Sequence, residues 1–462
     1  MQSNVRRTVR NCIVIIASCS ASALLLNACG HGDKSGVGTP PPASDKVPPD
    51  PLVKAKYDGT GPNDLIMGKD GYLYGTTTTG GDYGYGSVFR ISPDGVETVI
   101  HSFNVGPTEG ANPIGLIQGT DGFLYGTTSN GGAAACPRPA LDIQFPPGHN
   151  IDYSGCGTVF KLSLQGKLTV LHYFTGGQDG NQPIASLVES SPGRFYGETL
   201  SGGIANSSCT LKGCGLIFSV DSTGDERTVH AFNIESGDGA LPAGLTLGID
   251  GNLYGTAGIG GAYNQGLVFK LTPQGAQTIL FSFMDIAADG NPHPNGPPVQ
   301  GSDGSLYGTT LYGGSALSGR FAPCEFGCGT IYRISPTGEM SILYAFADVA
   351  NGVIPQGTLI AGTDGTLLGI ASYGGNTAVC QQAGCGTVFQ VTRPGVASTI
   401  YEFDQPVTGT AVQPRLPSSL IQGSGGYLYG TADGGDFGEG VVFKISPTGV
   451  FTILHSFRGP GS

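Results

Sequence analysis

Short apolar runs separated by glycine turns recur seven times along most of this chain. In the fullest copy, 123–174, a Leu-Tyr-Gly-Thr run is followed by Gly-Gly, then Gly-Thr-Val-Phe, a second glycine turn, and a run ending His-Tyr-Phe. The glycine closing the first of these runs recurs at Gly75, Gly126, Gly197, Gly255, Gly308, Gly369 and Gly430. The intervals, 51 to 71 residues, lie near the repeat length of propeller blades.

Each copy reads as four strands. The first is a short apolar pair, as in Leu65-Ile66, Leu116-Ile117 and Leu420-Ile421. A tight turn follows, usually Asp-Gly (Asp70-Gly71, Asp121-Gly122, Asp250-Gly251), because both residues tolerate the positive φ of a hairpin turn. Leu-Tyr-Gly-Thr is the second strand. In the third, Val88, Val159, Ile217, Val268, Ile331, Val388 and Val442 precede an aromatic ring, and a mostly polar residue follows (Arg90, Lys161, Lys444). That alternation predicts a partly exposed strand toward the rim. The fourth ends at Phe103, Phe174, Phe232, Phe283, Phe346, Phe403 or Phe457. Four antiparallel strands taken seven times predict an all-β, seven-bladed β-propeller over 52–462. A β-solenoid would need shorter coils without paired hairpin turns. Leu52 to Tyr57 resembles an eighth fourth strand, placed either against the last blade or outside the sheets. Pro297-Pro298-Val299 in copy five, with Glu198, Ile370 and Leu368 in copies three and six, are expected to weaken single blades.

Composition sharpens this picture. Glycine numbers 80 and charged residues are 12%, about half the usual share; tryptophan is absent, which argues against a Trp-Asp propeller repeat. Residues 1–28 carry Arg6, Arg7 and Arg10 ahead of an apolar run, Ile13 to Leu26, too short to span a membrane comfortably. They read as an export signal. Without them, 19 basic residues face 34 acidic ones, a formal charge of −15, which disfavours nucleic acid as a partner. Residues 29–51 are rich in proline and glycine and lack apolar periodicity, as expected of a disordered tether.

Two resemblances follow. Leu26-Asn27-Ala28-Cys29 resembles the lipobox of bacterial lipoproteins, which implies cleavage after Ala28 and lipidation of Cys29; an ordinary secretory signal cut nearby is the alternative. The Leu-Tyr-Gly-Thr…Gly-Gly…Gly-x-Val-Phe…Gly…Phe repeat resembles that of the bacterial GloVer tandem-repeat proteins over 57–462. This implies a secreted or surface-anchored repeat protein and names no chemistry. Both place the mature chain at the cell envelope, outer membrane or cell surface, or otherwise in the periplasm or medium.

Eight cysteines fall between the Gly-Gly break and the third strand: Cys136 and Cys156, Cys209 and Cys214, Cys324 and Cys328, Cys380 and Cys385. In an exported protein such local pairs read as disulfides, and two cysteines per locus are too few for a metal. His101, His172, His230 and His455 share a position that holds Phe281, Tyr344 and Tyr401 elsewhere. It therefore uses ring shape, and equivalent histidines on different blades are too far apart to converge. The Tyr74, Tyr125, Tyr196, Tyr254, Tyr307 and Tyr429 ladder reads as packing between blades. No cofactor and no metal site is expected, and no nucleophile-elbow, zinc-helix or phosphate-loop pattern occurs in a supporting context. The catalytic candidates are Glu189 and Glu198, expected to be diagonal neighbours on one face of the copy-three hairpin, a separation suited to sugar chemistry.

In a four-stranded blade, the turns after the first and third strands share one side of the disc. The loops after the second strand and between blades share the other. The second set is longer, holds all eight cysteines and offers Asp82, Tyr83, Tyr85, Tyr263, Asn264, Tyr312, Tyr373, Asp436 and Phe437. Loops on a rigid scaffold concentrate function, so these residues are expected to bind an extracellular glycan or peptide. The expected function is that of a monomeric, envelope-anchored binding module, touching the membrane only through its lipid. An extracellular lyase or glycoside hydrolase is the second reading and a structural envelope scaffold the third.

Overall fold

The computed structural model describes residues 57–459, apart from 105–107, 133–135, 137–154, 206–208, 210–212, 285–292, 315–323, 325, 348, 376–379, 381–383 and 404–411. The export signal, Cys29, the tether and residues 52–56 lie outside the described residues.

Seven antiparallel sheets make up the fold. In blade 1 the strands Thr60–Met67, Leu73–Thr79, Ser87–Ile91 and Glu97–Ser102 pair in chain order. Blades 2 to 7 occupy 111–173, 181–231, 240–282, 294–345, 353–402 and 412–456. In blade 3 the first strand is broken into Asn181–Pro183 and Val188–Ser191, both paired to Arg194–Ser201. The hairpin turns form as their residues dictate: Gly71 has φ 82°, and Asp70 accepts the Tyr72 N–H. Every blade takes its strands from its own repeat, the last included. Among the described residues, the ring closes without strand exchange.

Each first strand meets its counterparts in neighbouring blades, which makes it the innermost; each fourth strand is the outermost. The third strand is not at the rim. Val88, Phe89 and Ile91 are fully buried, because adjacent blades cover both faces of that strand. Its alternating polar residue, Arg90 or Lys161, is half-buried near the tight-turn end.

One interface is written seven times. A glycine with positive φ at the start of each third strand (Gly86, Gly157, Gly215, Gly266, Gly329, Gly386 and Gly440) abuts a proline of the next blade. A Cβ at these glycines would stand 2.4 to 3.0 Å from the proline Cδ. The fourth-strand Phe of each blade then meets the third-strand ring of the next edge-on, from Phe103–Phe160 at 5.3 Å to Phe403–Phe443 at 5.3 Å. Between blades 7 and 1 the same pieces recur: Gly440 against Pro62, Phe457 against Phe89 at 4.9 Å, and the Gly61 N–H donating to the Glu439 carbonyl at 3.0 Å. Full burial of each such ring contributes about 1.5–3 kcal/mol.

Blade 5 keeps its four strands despite Pro298. At Gly75, Gly126, Gly255 and Gly369 a phenylalanine ring and a first-strand leucine crowd the closing glycine of the second strand; at Gly308 the extra hydroxyl of Tyr332 occupies that space. The larger ring compensates for the missing leucine.

All four expected disulfides are formed, with Cα–Cα separations of 5.2, 5.3, 4.6 and 5.3 Å in chain order. Disulfides of this kind belong to an oxidising compartment outside the cytoplasm. Among the described residues, no helix is long and apolar enough to cross a membrane.

Candidate functional site

The loop face gathers aromatic side chains where blades 5 and 6 meet. Tyr312 follows the second strand of blade 5 (Leu306–Thr310), and its backbone carbonyl accepts the Thr310 hydroxyl. Phe326 lies between Cys324 and Cys328, in a loop pinned by their disulfide and by the Gly313 N–H donating to the Phe326 carbonyl at 2.9 Å. Phe326 is 58% exposed. Its ring meets Tyr312 edge-on at 6.2 Å, and Tyr312 meets His293 at 6.4 Å. His293 is fixed by an Nδ1 contact of 3.0 Å to the Gly258 carbonyl of blade 4. Burial, and secondarily the field of Tyr373 in blade 6, raise the Tyr312 pKa. The cluster is therefore preorganised and partly open to solvent.

The other expected loop residues divide by what they touch. Tyr263 is 55% exposed. Asn264 turns inward, its side-chain oxygen accepting the Gly260 N–H, and so shapes its own loop. Tyr85 is half-buried against the core of blades 1 and 2, and its carbonyl accepts the Asn112 N–H. Asp82 and Asp436 are exposed, whereas Tyr83 and Tyr373 are half-buried. Phe437 lies under the Arg458 guanidinium at 4.5 Å. These residues spread over blades 1, 4, 5, 6 and 7; the structure brings Tyr312 and Tyr373 together.

Glu189 and Glu198 do not form a pair. Glu189 is paired with Phe195, three residues before Glu198, and an odd step along a strand reverses the face. The Glu189 carboxylate accepts the Thr120 N–H and hydroxyl of blade 2, both at 2.9 Å. Gln118 and Gln300 clasp the preceding blade in the same way, through Lys69 and Ile249. Glu198 points the other way, where Oε2 accepts the Gly244 N–H of blade 4 at 2.5 Å. It is 1% exposed, Oε1 has no hydrogen-bond partner among the described residues, and burial pushes its pKa up to about 8. This geometry supports no shared acid–base chemistry.

Two networks escape a residue-by-residue reading of the sequence. On the tight-turn face, the hairpin aspartate also accepts the tyrosine hydroxyl of its own second strand: Tyr74 to Asp70 at 2.6 Å, Tyr125 to Asp121 at 2.7 Å and Tyr307 to Asp303 at 2.9 Å. Burial alone would raise Asp303; hydrogen bonds from Tyr307, Ser305 and Arg333 outweigh it and hold the carboxyl at about 2. In blades 1, 2, 4 and 5 the tyrosine ladder is thus tied within the blade as well as packed between blades. Secondly, the four histidines pair with carboxylates at the entry to the next blade: His101 with Glu109, His172 with Asp179, His230 with Asp238, and His455 with Asp58. The ring-shape role holds too, since every residue at this position meets the fourth-strand Phe edge-on. Phe326 and His293 were also absent from the expected set. Among the three short disulfide loops, only that of Cys324 and Cys328 encloses an aromatic residue, which is the signal that points to Phe326.

The model of the Gloeobacter/Verrucomicrobia repeat matches residues 52–136, 149–381 and 325–462. The sequence has no significant match among curated proteins. Among solved structures, a puromycin-hydrolysing peptidase of Mycobacterium tuberculosis is similar over 88% of this chain and 55% of its own, with TM-score 0.51 and 13% identity. A puromycin hydrolase is similar over 90% of this chain and 57% of its own, with TM-score 0.52 and 14% identity. The chain spans just over half the length of these proteins, and the likeness is one of fold.

Proposed function

The chain belongs to the Gloeobacter/Verrucomicrobia repeat family, and from that premise we propose that it is an exported, lipid-anchored binding module presenting its loop face to an extracellular glycan. The observation that carries this reading is the cluster of Tyr312, Phe326 and His293, with Tyr373 beside it. Flat aromatic faces stack on the apolar faces of sugar rings, and disulfide-held loops lower the ordering cost of binding. Lipidation of Cys29, with the 29–51 segment as a spacer, would hold that face away from the envelope. No catalytic step is assigned, because the two candidate carboxylates serve different blade interfaces.

The test is a glycan and peptide array probed with the soluble propeller, followed by titration of any ligand found. Tyr312→Ala or Phe326→Ala is expected to weaken binding by about tenfold or more with an unchanged melting midpoint. Lys167→Ala, an exposed change on the tight-turn face, is expected to leave binding intact. Binding that ignores both aromatic substitutions but falls with Lys167→Ala would place the ligand on the opposite side of the disc. Capture of peptides alone would transfer the same surface to a peptide ligand.

A further inference from the structure

A ring whose blades are each continuous in sequence has its two chain ends held by one ordinary interface. At that interface three ionisable groups converge from separate parts of the chain. Asp58 stands at the entry to blade 1, Glu97 opens the outermost strand of blade 1 (Glu97–Ser102), and His455 lies on the outermost strand of blade 7 (Phe451–Ser456). One ligand atom from each lies within 4.8 Å of the other two. Asp58 Oδ2 is 2.7 Å from His455 Nε2.

Asp58 and His455 are held in place before anything binds. Asp58 Oδ1 accepts the Arg458 N–H at 2.6 Å, and the Asp58 carbonyl accepts the Ser87 hydroxyl at 2.7 Å. The His455 ring stands edge-on to Phe457 at 4.8 Å, which fixes its plane. The side chains of Asp58 and His455 are 14% and 18% exposed, sheltered yet reachable from solvent. Two carboxylates and one imidazole carry a net negative charge even when the histidine is protonated. A divalent cation on a neutral imidazole balances them.

The other blades show that this set is not a by-product of the repeat. The residue matching Glu97 at the next three interfaces is Leu168, Glu226 and Gln277. Where the histidine is replaced by Phe281, Tyr344 or Tyr401, the partner position holds Met340, Ala397 or Phe451, and Tyr401 stacks on Phe451 at 4.5 Å. His172, Asp179 and Glu226 repeat the residue types between blades 2 and 3, but His172 and Asp179 stand 3.4 Å apart and the three ligand atoms do not all come within 4.8 Å of one another. The compact set occurs where the ring must close.

We propose that Asp58, Glu97 and His455 bind a divalent cation that ties the first blade to the last. A mixed set of one imidazole and two carboxylates suits Zn²⁺ or Mn²⁺ better than Ca²⁺, which takes oxygen ligands. Water completes the coordination from the solvent side. The cation is structural: it links chain ends and stabilises the ring logarithmically as its free concentration exceeds its Kd.

The experiment uses untagged protein stripped with a chelator, then titrated calorimetrically with Zn²⁺, Mn²⁺ and Ca²⁺ while its melting midpoint is followed. Wild type is expected to bind one Zn²⁺ or Mn²⁺ per chain and to melt at a higher temperature when loaded. His455→Phe installs the ring that blade 4 carries as Phe281, so the variant is expected to fold. It and Glu97→Gln should each weaken binding by more than the roughly 10–100-fold typical of losing an outer-shell partner. Neither variant should show the metal-dependent rise in melting. His172→Phe should bind as wild type does. Absence of saturable binding by wild type overturns the proposal. So does binding that survives both Glu97→Gln and His455→Phe, that disappears with His172→Phe, or that is confined to Ca²⁺.

Discussion

Truncating Phe457 to alanine is expected to cost the folded protein about 3–5 kcal/mol, as much as truncating Phe232 in the middle of the ring. Both rings are fully buried. Phe457 meets Phe89 at 4.9 Å and His455 at 4.8 Å; Phe232 meets Phe269 at 5.6 Å and His230 at 5.0 Å. Their backbone N–H groups donate to Gly440 and Gly215 at 2.9 and 3.0 Å. The surrounding strands are fixed on both sides, so the cavity left by either ring cannot collapse fully. Urea unfolding of the two variants makes the comparison. A full cost for Phe232→Ala beside one below about 0.5 kcal/mol for Phe457→Ala, the range of ordinary surface changes, would mean that the last blade is not docked on the first.

Replacing Glu198 with glutamine is expected to remove a pH dependence of stability worth about 3–5 kcal/mol. Burial between blades 3 and 4 raises the folded pKa to about 8 from the ordinary carboxyl value of 4.5. Between those values the folded protein keeps a proton that the unfolded chain has released. Wild-type stability therefore falls as pH rises from about 4.5 to about 8, and the loss levels off above that. Glutamine keeps an oxygen for the Gly244 N–H and does not titrate. The variant and wild type should thus be similar near pH 4 and diverge through pH 8, with the variant the more stable. Glu226, raised by burial to about 7, contributes a slope of the same sign in both proteins, so their difference isolates Glu198. Parallel curves for the two proteins from pH 5 to 9 would show that Glu198 ionises freely in the fold.

The architecture was legible because its signals are local and repeated. Asp-Gly turns, second strands closing on glycine and paired cysteines each act within a few residues, and seven copies separate pattern from accident. What depends on the neighbouring blade was harder to see. Alternation in the third strand suggested exposure, yet blades on both sides bury it. Glu189 looked like a departure from the repeat, although its place is that of Gln118 and Gln300, whose side-chain oxygens clasp the previous blade. The histidines were compared with one another, whereas the partners of His101, His172 and His230 are carboxylates beyond the next turn of chain, and that of His455 is Asp58 at the other end of the propeller. That coupling can be seen within the single sequence, since Glu109, Asp179 and Asp238 each follow a histidine-bearing copy and Asn351 follows Tyr344. The aromatic cluster was half-read: Tyr312 and Tyr373 stand out as loop tyrosines, but only the fold brings Phe326 and His293 to them.

Seven equivalent interfaces close the chain into a ring, and a double-mutant cycle on Phe89 and Phe457 tests that closure most directly. These residues lie at opposite ends of the propeller sequence and touch only if blade 7 docks on blade 1. The predicted coupling is about 0.5–1.5 kcal/mol, matching a reference cycle on Phe103 and Phe160 within the ring. Additive effects of Phe89→Ala and Phe457→Ala, alongside a coupled reference pair, would contradict the closed ring.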